Sequence, residues 1–295
     1  MFVGMTTRTD LLRPPAIVMP AEAAPGPDLP PSPPEPPRKI DPASLGVRLT
    51  APTVALVDTK SGEVLFSQGD DRVVPIASIT KLMTAMVLLD LNPRWDAPVT
   101  IEAGDNALEG IQYLKVGDRL SAREMFRVML VGSANNAAMA LSRSSGMSRE
   151  AFVERMNSKA RALGLAHTVF VDPTGYKPEN RSAALDVARM AAVALSRPEI
   201  REALTEKEIV VKTSGGFERR VPATDELLQS FLNEGEFQIV GGKTGYTQEA
   251  GYTLVLRAKK GNADVIGVTL GSASSDDRFQ DGKSLLFWGF KTFQW

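Results

Sequence analysis

The order in which hydrophobic patterns change along the chain restricts its fold more than any other feature. Residues 53–58 read as a strand, and after a turn at 60–62 the chain returns as a second strand over 63–67. Helical spacing dominates the middle of the chain, and strand patterns come back from residue 209 onward. This order predicts an α+β fold, with an antiparallel sheet built from both chain ends, flanked by helices, and a helical subdomain inserted between them.

Capping signals place the boundaries of several of these elements. Ser121 with Glu124 three residues later forms a capping-box pattern, and Ser148 is a second candidate N-cap. The predicted helices cover 77–91, 121–131, 133–143, 148–163, 182–195 and 276–290. The remaining predicted strands cover 99–101, 209–211, 238–240, 252–258 and 265–270.

The N-terminal part of the chain has a different composition. Residues 13–42 are rich in proline, which fits neither a helix interior nor a central strand, so we expect an extended polyproline II linker. The sequence therefore predicts a disordered proline-rich segment over 1–42 and one folded domain over 43–295. Residues 1–12 are too short and too charged to form a clear secretory signal peptide. No run of 18 apolar residues predicts a membrane-spanning helix.

Composition excludes several kinds of active site. The chain has no cysteine, which rules out disulfides, cysteine nucleophiles and thiolate metal ligands. His167 is the only histidine, so a Ser-His-Asp triad or a histidine-based metal site would have to include it. The formal net charge of -1 gives no basic surface suited to nucleic acid.

A candidate nucleophile lies at the start of the first predicted helix. Ser78 and Lys81 are three residues apart, and residues at that spacing lie on the same face of a helix. A neutral lysine amine beside a serine hydroxyl could take its proton and activate it for attack. The N–H groups at the helix N-terminus could stabilise charge on an attacked carbonyl oxygen. The pair also occurs by chance, because a serine often precedes a solvated lysine at a helix start.

Two further motifs gain meaning from this pair. Ser133 and Asn135 lie at a predicted loop-to-helix junction, where they could direct a hydroxyl and an amide into a cleft, or serve only as a turn and a cap. Lys243 and Thr244 lie between glycines, which would let another backbone approach an edge strand closely. Alone, this last motif is equally compatible with a solvated hairpin.

Together the three motifs carry a family resemblance. Ser-x-x-Lys, Ser-x-Asn and Lys-Thr-Gly, in this order, form the signature of penicillin-binding proteins and class A β-lactamases. The sequence resembles the low-molecular-weight penicillin-binding proteins, the serine-type D-alanyl-D-alanine carboxypeptidases of the peptidase S11 type. Segments 77–84, 167–175, 242–247 and 250–252 are similar to that family, and the resemblance covers about 53–290.

The resemblance implies a role for each matched residue. The implied catalytic residues are Ser78 as the acylated nucleophile, Lys81 as general base, Ser133 as proton relay and Asn135 as a ligand of Lys81 and the substrate. The implied substrate-binding residues are Lys243 and Thr244, which would hold a terminal carboxylate, together with Gly245 and Tyr246, whose N–H would join that of Ser78 in an oxyanion hole.

The resemblance also implies the setting of the reaction. The fold would be β-lactamase/transpeptidase-like, with neither metal nor cofactor. The substrates would be peptidoglycan stem peptides ending in D-Ala-D-Ala, with β-lactams as covalent inhibitors, in the periplasm or cell-wall space. The middle motif has Ala134 where many relatives carry Gly or Asp. We also expect no C-terminal membrane anchor and no C-terminal all-β domain of the kind found in longer relatives.

Other functions remain open at this point. A D-Ala endopeptidase would use the same residues on cross-linked peptides. A class A-like β-lactamase would need a second base for deacylation, for which 172–181 offers Glu179. A non-catalytic peptidoglycan or β-lactam receptor is disfavoured, because a retired site has no reason to keep both serines and both lysines.

Overall fold

The computed structural model describes residues 1, 35–106 and 110–295. Every element that the structure describes lies in the unit from Pro34 to Trp295. The described strands, in chain order, are β1 Arg38–Lys39, β2 Thr53–Asp58, β3 Val64–Gln68, β4 Val74–Pro75, β5 Pro98–Thr100, β6 Arg119–Ser121, β7 Arg181–Ser182, β8 Glu208–Lys212, β9 Glu218–Pro222, β10 Phe237–Thr247, β11 Gly251–Lys260, β12 Ala263–Ser272 and β13 Phe293–Gln294.

Helices fill the middle of the chain and close its C-terminal part. The α-helices are α1 Lys81–Asp90, α2 Ala122–Val131, α3 Asn135–Ser144, α4 Arg149–Ala162, α5 Ala184–Ala194, α6 Pro198–Leu204 and α7 Ser275–Thr292. Short 3₁₀ helices cover Ala77–Thr80, Ala103–Asn106, Glu226–Gln229 and Phe231–Asn233.

One five-stranded sheet organises the fold. Its strand order is β10-β11-β12-β2-β3, and each neighbouring pair is antiparallel. Strands β2 and β3 come from the first part of the domain, whereas β10 to β12 come from the last part. The predicted α+β fold, with an antiparallel sheet from both chain ends and a helical insertion, is confirmed.

Alternation along the strands divides the interior into two cores. Val54 and Leu56 of β2 belong to the core beneath α7, whereas Ala55 between them belongs to the core beneath α1 and α5. Strand β11 repeats the pattern, because Leu254 faces the first core and Val255 faces the second. Successive side chains of a strand point to opposite faces, so both sheet faces are covered by helices.

The helical subdomain packs against the second core. Helix α1 is buried over almost its whole length and contacts α2, α3, α4 and α5. The predicted capping box of α2 is present, since the Ser121 hydroxyl accepts from Glu124 N and the Glu124 carboxylate accepts from Ser121 N. The predicted cap of α4 is also present, with Ser148 Oγ accepting from Ala151 N.

Three predicted boundaries differ in ways that affect the site. The helix predicted over 77–91 begins with a 3₁₀ turn, Ala77–Thr80, before α1. The helix predicted from Ser133 begins at Asn135, because Ser133 has a left-handed backbone with φ 59°. Strand β10 is much longer than predicted, since its glycines interrupt the apolar pattern while its backbone pairing with β11 continues past a bulge before Gly241.

Ordered pairing extends into the predicted linker. Strand β1 pairs with β13, and Ile40 N donates to Thr292 O at 2.8 Å. This pairing lies before the domain start that the sequence predicted at Ala43. The proline content of the segment gave no indication of this pairing, because the partner strand β13 lies at the other end of the described chain. Among the described residues, no helix is long and apolar enough to span a bilayer.

Candidate active site

The candidate nucleophile lies on a strained 3₁₀ turn. Ser78 follows Ala77, which has φ 48°, a left-handed conformation that costs a non-glycine residue of order 1–3 kcal/mol. Both backbone polar groups of the preceding residue, Ile76, are hydrogen-bonded. Its N–H donates to Asn180 O at 3.0 Å, and its carbonyl accepts from Thr253 Oγ1 at 3.4 Å. The turn is therefore held from two directions, and Ser78 is presented at the start of α1.

The amine of Lys81 has three hydrogen-bond partners. Lys81 Nζ lies 2.8 Å from Ser78 Oγ, 2.7 Å from Asn135 Oδ1 and 2.8 Å from Thr174 O. The amide and backbone oxygens can only accept, so they take the two N–H groups of a neutral amine. The remaining lone pair then faces the Ser78 hydroxyl, which is the arrangement that a general base needs.

The surroundings of Lys81 favour this neutral form. The side chain is fully buried, and burial is the main cause that lowers its pKa well below the usual lysine value. The positive charge of Lys243 lowers this pKa further, while the carboxylate of Asp172 opposes both effects. A lysine that is neutral at accessible pH can take a proton from a serine.

The bend after α4 supports Lys81 from behind. Asp172 accepts hydrogen bonds from Thr174 N and Oγ1, Gly175 N, Lys177 N and Asn180 Nδ2. Burial alone would raise the pKa of Asp172, but these hydrogen bonds bring it below its usual value. The fully engaged carboxylate fixes the bend that aims the Thr174 carbonyl at Lys81.

Gly175 lets this bend touch the nucleophile turn. A Cβ built at Gly175 would lie 1.9 Å from Ala77 O, and its φ of 82° favours glycine in any case. The glycine of segment 167–175 therefore has a packing role directly behind Ser78.

The middle motif enters from the junction between α2 and α3. Ser133 is 4% exposed, and Asn135, at the first position of α3, sends its side-chain oxygen to Lys81. The N-cap of α3 is Ala134, whose methyl side chain cannot accept a hydrogen bond from the first N–H groups of the helix. The left-handed backbone of Ser133 turns the chain so that Ser133 and Asn135 face the candidate site, and neither residue caps the helix.

The third motif lies on β10, the edge strand of the sheet. Lys243 is 1% exposed, and its Nζ donates to Thr244 O at 3.0 Å. Burial and then Arg278 lower the pKa of Lys243 to about 7, against an opposing effect of Asp225. A Cβ at Gly245 would lie 2.9 Å from Ser78 N, so this glycine allows β10 to reach the nucleophile turn.

These residues meet at a cleft of about 700 Å³. Its lining includes six of the eight residues that the sequence singled out: Ser78, Ser133, Asn135, Thr244, Gly245 and Tyr246. The Lys81 and Lys243 side chains are buried behind this lining. Tyr246 is half exposed and stacks on Tyr252 with ring centroids 4.4 Å apart, which gives the cleft an aromatic wall.

Three residues at the site were missed from the sequence. Arg278 lines the cleft and its Nη1 donates to Gly245 O at 3.3 Å, while Thr224 accepts from Thr244 Oγ1 at 2.6 Å. Thr174 contributes only its carbonyl, which any residue type could supply. One weak feature of the sequence could have pointed to Arg278. A cation near the start of a helix is opposed by the helix dipole, so its presence there calls for another reason.

Two sequence alternatives lose support from this geometry. Glu179, the candidate deacylating base of a β-lactamase, is exposed and does not line the cleft. The bend offers Lys81 a backbone carbonyl instead of a carboxylate. The His167 side chain is largely exposed and also lies outside the cleft, with Nδ1 4.0 Å from a carboxylate oxygen of Asp186, so no Ser-His-Asp triad forms at Ser78.

Comparisons with known proteins agree with this arrangement. The family model described as D-alanyl-D-alanine carboxypeptidase matches residues 40–274. A D-alanyl-D-alanine endopeptidase of Pseudomonas aeruginosa is 34% identical over 243 residues, which are 81% of this chain and 77% of the relative. A D-alanyl-D-alanine carboxypeptidase of Escherichia coli is 33% identical over 253 residues, 81% of this chain and 61% of the relative.

A solved structure extends the likeness to the fold. The Streptomyces K15 DD-transpeptidase is 30% identical, superposes with a TM-score of 0.76, and covers 84% of this chain and 100% of its own. The motifs, the fold and the matched length agree with one another. The chain belongs to peptidase family S11, the serine-type D-alanyl-D-alanine peptidases among the low-molecular-weight penicillin-binding proteins.

Proposed function

We propose that this chain is a serine D-alanyl-D-alanine carboxypeptidase that trims peptidoglycan stem peptides through an acyl-enzyme on Ser78. One observation carries the proposal: Lys81 Nζ lies 2.8 Å from Ser78 Oγ while two oxygens that can only accept occupy its N–H groups. Transfer of the Ser78 proton to Lys81 leaves an oxygen nucleophile at the edge of the cleft.

The acylation step follows from the positions around Ser78. Ser78 Oγ attacks the carbonyl carbon of the penultimate D-Ala, and the carbonyl oxygen takes the negative charge. We assign the N–H groups of Ser78 and Tyr246 to that oxyanion, because the edge strand lies against the nucleophile turn. Ser133 passes the proton held by Lys81 to the leaving amine, the C–N bond breaks, and D-Ala departs and leaves the acyl group as an ester on Ser78.

We assign binding of the terminal carboxylate to a different pair of residues from the pair that the motif implied. Lys243 is buried behind the lining, whereas Arg278 and Thr244 line the cleft itself. A guanidinium suits a carboxylate because it can donate two parallel hydrogen bonds. We therefore assign direct binding to Arg278 and Thr244, and to Lys243 the electrostatic role of keeping Lys81 neutral.

Release of the acyl group reverses the proton transfers. A water molecule attacks the Ser78 ester and loses its proton to the site base, and Ser78 recovers its hydroxyl proton. The products are the shortened stem peptide and the free enzyme. This substrate is found in the extracytoplasmic cell-wall space, where we propose that the protein works and where β-lactams would acylate Ser78 in place of the peptide.

A second candidate activity is D-Ala endopeptidase cleavage of cross-linked stems. It is favoured by two endopeptidase relatives, each 34% identical to this chain. Incubation with a pentapeptide stem and with a cross-linked dimer, followed by mass analysis of the products, separates the two: released D-Ala indicates the carboxypeptidase, and resolved monomers indicate the endopeptidase.

The acyl-enzyme itself is tested with a labelled penicillin. We expect covalent label on the peptide that contains Ser78, and no label on the Ser78→Ala variant. The Ser61→Ala variant is a matched control, because Ser61 lies in the β2–β3 turn and its loss should leave labelling intact. Label that persists in Ser78→Ala at the wild-type rate would contradict the proposal.

A further inference from the structure

Among the residues that the structure describes, the lining of the candidate cleft has two charged side chains, one of each sign. Arg278 is the cation, to which we assign the terminal carboxylate of the substrate. Glu249 is the anion, and the acylation steps above give it no part. A carboxylate in the wall of a peptide-binding cleft is complementary to a cationic group of the peptide, so Glu249 points to a ligand of its own.

Glu249 lies in the turn between β10 and β11. Strand β10 ends at Thr247 and β11 begins at Gly251, and Ala250 N donates to Thr247 Oγ1 at 3.1 Å within the turn. The Glu249 side chain is exposed, and no hydrogen bond or ion pair with another described residue engages its carboxylate. The turn therefore does not use this charge for its own stability, and the carboxylate is available to a group bound in the cleft.

The direction of the bound peptide follows from the groups assigned to its two C-terminal residues. The terminal carboxylate is assigned to Arg278 and Thr244, and Arg278 Nη1 lies beside this part of β10, 3.3 Å from Gly245 O. The carbonyl of the penultimate D-Ala is assigned to the N–H of Tyr246, two residues further along the strand than Thr244. From its C-terminus to its N-terminus, the peptide therefore follows β10 in order of increasing residue number. The residue before D-Ala-D-Ala then lies near the end of β10, next to the turn that contains Glu249.

The aromatic wall before this turn suits a long side chain with an apolar stem. Tyr246 is half exposed and stacks on Tyr252 with ring centroids 4.4 Å apart, so the two rings support each other in the wall of the cleft. A long amine side chain packs its methylene groups on apolar surface and extends its charged end to a polar group. Here the methylene groups would pack on Tyr246, and the ammonium would meet Glu249 three residues further along the chain.

We propose that Glu249 is a specificity-determining residue, which binds a side-chain ammonium on the residue that precedes D-Ala-D-Ala in the stem peptide. The preferred substrates are then stems with a diamino acid at that position whose side-chain amine is free. The inference rests on the proposed function, because it uses the direction of the same substrate. It applies to carboxypeptidase and endopeptidase cleavage alike, because both would acylate Ser78 with the carbonyl of the same D-Ala.

Two peptides that differ in one charge test this assignment. Nα-acetyl-L-lysyl-D-alanyl-D-alanine has a free side-chain amine, whereas in its Nε-acetyl derivative that amine is neutral. For release of D-Ala by the wild type, we expect kcat/KM to be roughly 3–10-fold higher with the free amine, as for a partly exposed ion pair that is also hydrogen-bonded. Glu249→Gln removes the charge at nearly constant size and should bring this ratio to about one.

Two further variants separate recognition of charge from a general effect on structure. Glu236→Gln is a matched control, because Glu236 is also exposed but pairs with Lys260 outside the cleft, and it should keep the wild-type ratio. Glu249→Lys reverses the charge and should prefer the Nε-succinyl peptide, which ends in a carboxylate, to the free amine. A purely structural role for Glu249 would change the rates for all peptides by the same factor and leave their ratio as in the wild type.

A second measurement does not depend on turnover of the peptide. A peptide bound in the cleft slows the labelling of Ser78 by a penicillin, and the peptide concentration that halves the labelling rate measures its binding. In the wild type this concentration should be lower for the free amine, and in Glu249→Gln it should be equal for the two peptides. Equal binding in the wild type, or a preference that survives in Glu249→Gln, would overturn the inference. A wild-type protein that takes up no label at Ser78 would instead contradict the proposed function, so the two failures are distinguishable.

Discussion

At the scale of single residues, two buried lysines of the candidate site have different surroundings. Lys81 is surrounded by oxygens that accept its N–H groups, whereas Lys243 donates to the backbone oxygen of its neighbour, and burial followed by Arg278 lowers its pKa to about 7. The two side chains are both buried, so the charge of one is felt strongly by the other. We assign the lost proton to Lys81 and the retained proton to Lys243.

The assignment predicts opposite outcomes for the two Lys→Arg variants. Lys81→Arg should reduce the rate of penicillin acylation by roughly 10²–10⁴-fold, the usual contribution of a general base, because arginine cannot act as a base at neutral pH. Lys243→Arg preserves the charge that we assign to this position and should keep a measurable fraction of the rate. Stopped-flow acylation with a chromogenic β-lactam measures both rates.

The same experiment shows how the assignment would fail. An active Lys81→Arg enzyme would exclude Lys81 as the base, and Ser133 would become the next candidate for the proton acceptor. Equal losses in both variants would mean that the two lysines cannot be given separate roles.

At the scale of elements, close backbone approaches decide how the motifs meet. The 3₁₀ turn with Ser78 is touched by β10 at Gly245 and by the 172–180 bend at Gly175. Neither approach leaves room for a Cβ. Gly175 and Gly245 therefore determine how closely the bend and β10 approach the turn that carries Ser78, the candidate nucleophile.

A pair of glycine variants tests the crowding behind Ser78. Gly175 and Gly216 have the same φ of 82°, but a Cβ at Gly216 would meet nothing within 4 Å. Both Gly→Ala changes should impose similar backbone strain, because the two φ values are equal. Only Gly175→Ala should also displace the Ala77 carbonyl, because only there would the new Cβ meet another backbone atom. We expect Gly175→Ala to lose most penicillin acylation and to lower the melting temperature more than Gly216→Ala. Similar behaviour of the two variants would show that the bend does not support the nucleophile turn.

At the scale of the whole molecule, the first and last described strands are paired. The sheet joins β2 and β3 to β10 to β12, and the β1–β13 ladder adds a further link between distant parts of the chain. Lys39 Nζ also donates to Ser44 O at 2.6 Å, and Trp288 Nε1 donates to Ser44 Oγ at 3.2 Å. We therefore propose that the stable domain begins near Pro34 and not at Ala43.

Two truncations test this boundary. Removing residues 1–34 takes away a proline-rich stretch without a helical or strand period, and should leave the melting temperature unchanged. Removing residues 1–42 also removes β1, and should lower it by roughly 2–4 °C for each kcal/mol lost in a domain of this size. Calorimetry of both proteins beside the full chain measures the shifts. Equal melting temperatures for the two truncated proteins would return the boundary to Ala43.

The amino-acid sequence by itself determined the fold class and the candidate residues. Period-two and helical patterns depend on neighbours along the chain, which is why β2 was predicted with its observed ends and the caps Ser121 and Ser148 were found. The three motifs likewise consist of residues close together in sequence. Their catalytic and binding roles stay a prediction until the variants above are measured.

Only the tertiary structure decided which charges are buried and what they face. The two acceptors that complete the shell of Lys81 are 54 and 93 residues away along the chain, and Arg278 reaches Gly245 across 33 residues. Desolvation and the fields of neighbouring charges depend on these distant contacts, so no local pattern indicates that Lys243 is buried behind the cleft or that Arg278 lines it. The protonation state of the base is therefore a property of the folded molecule.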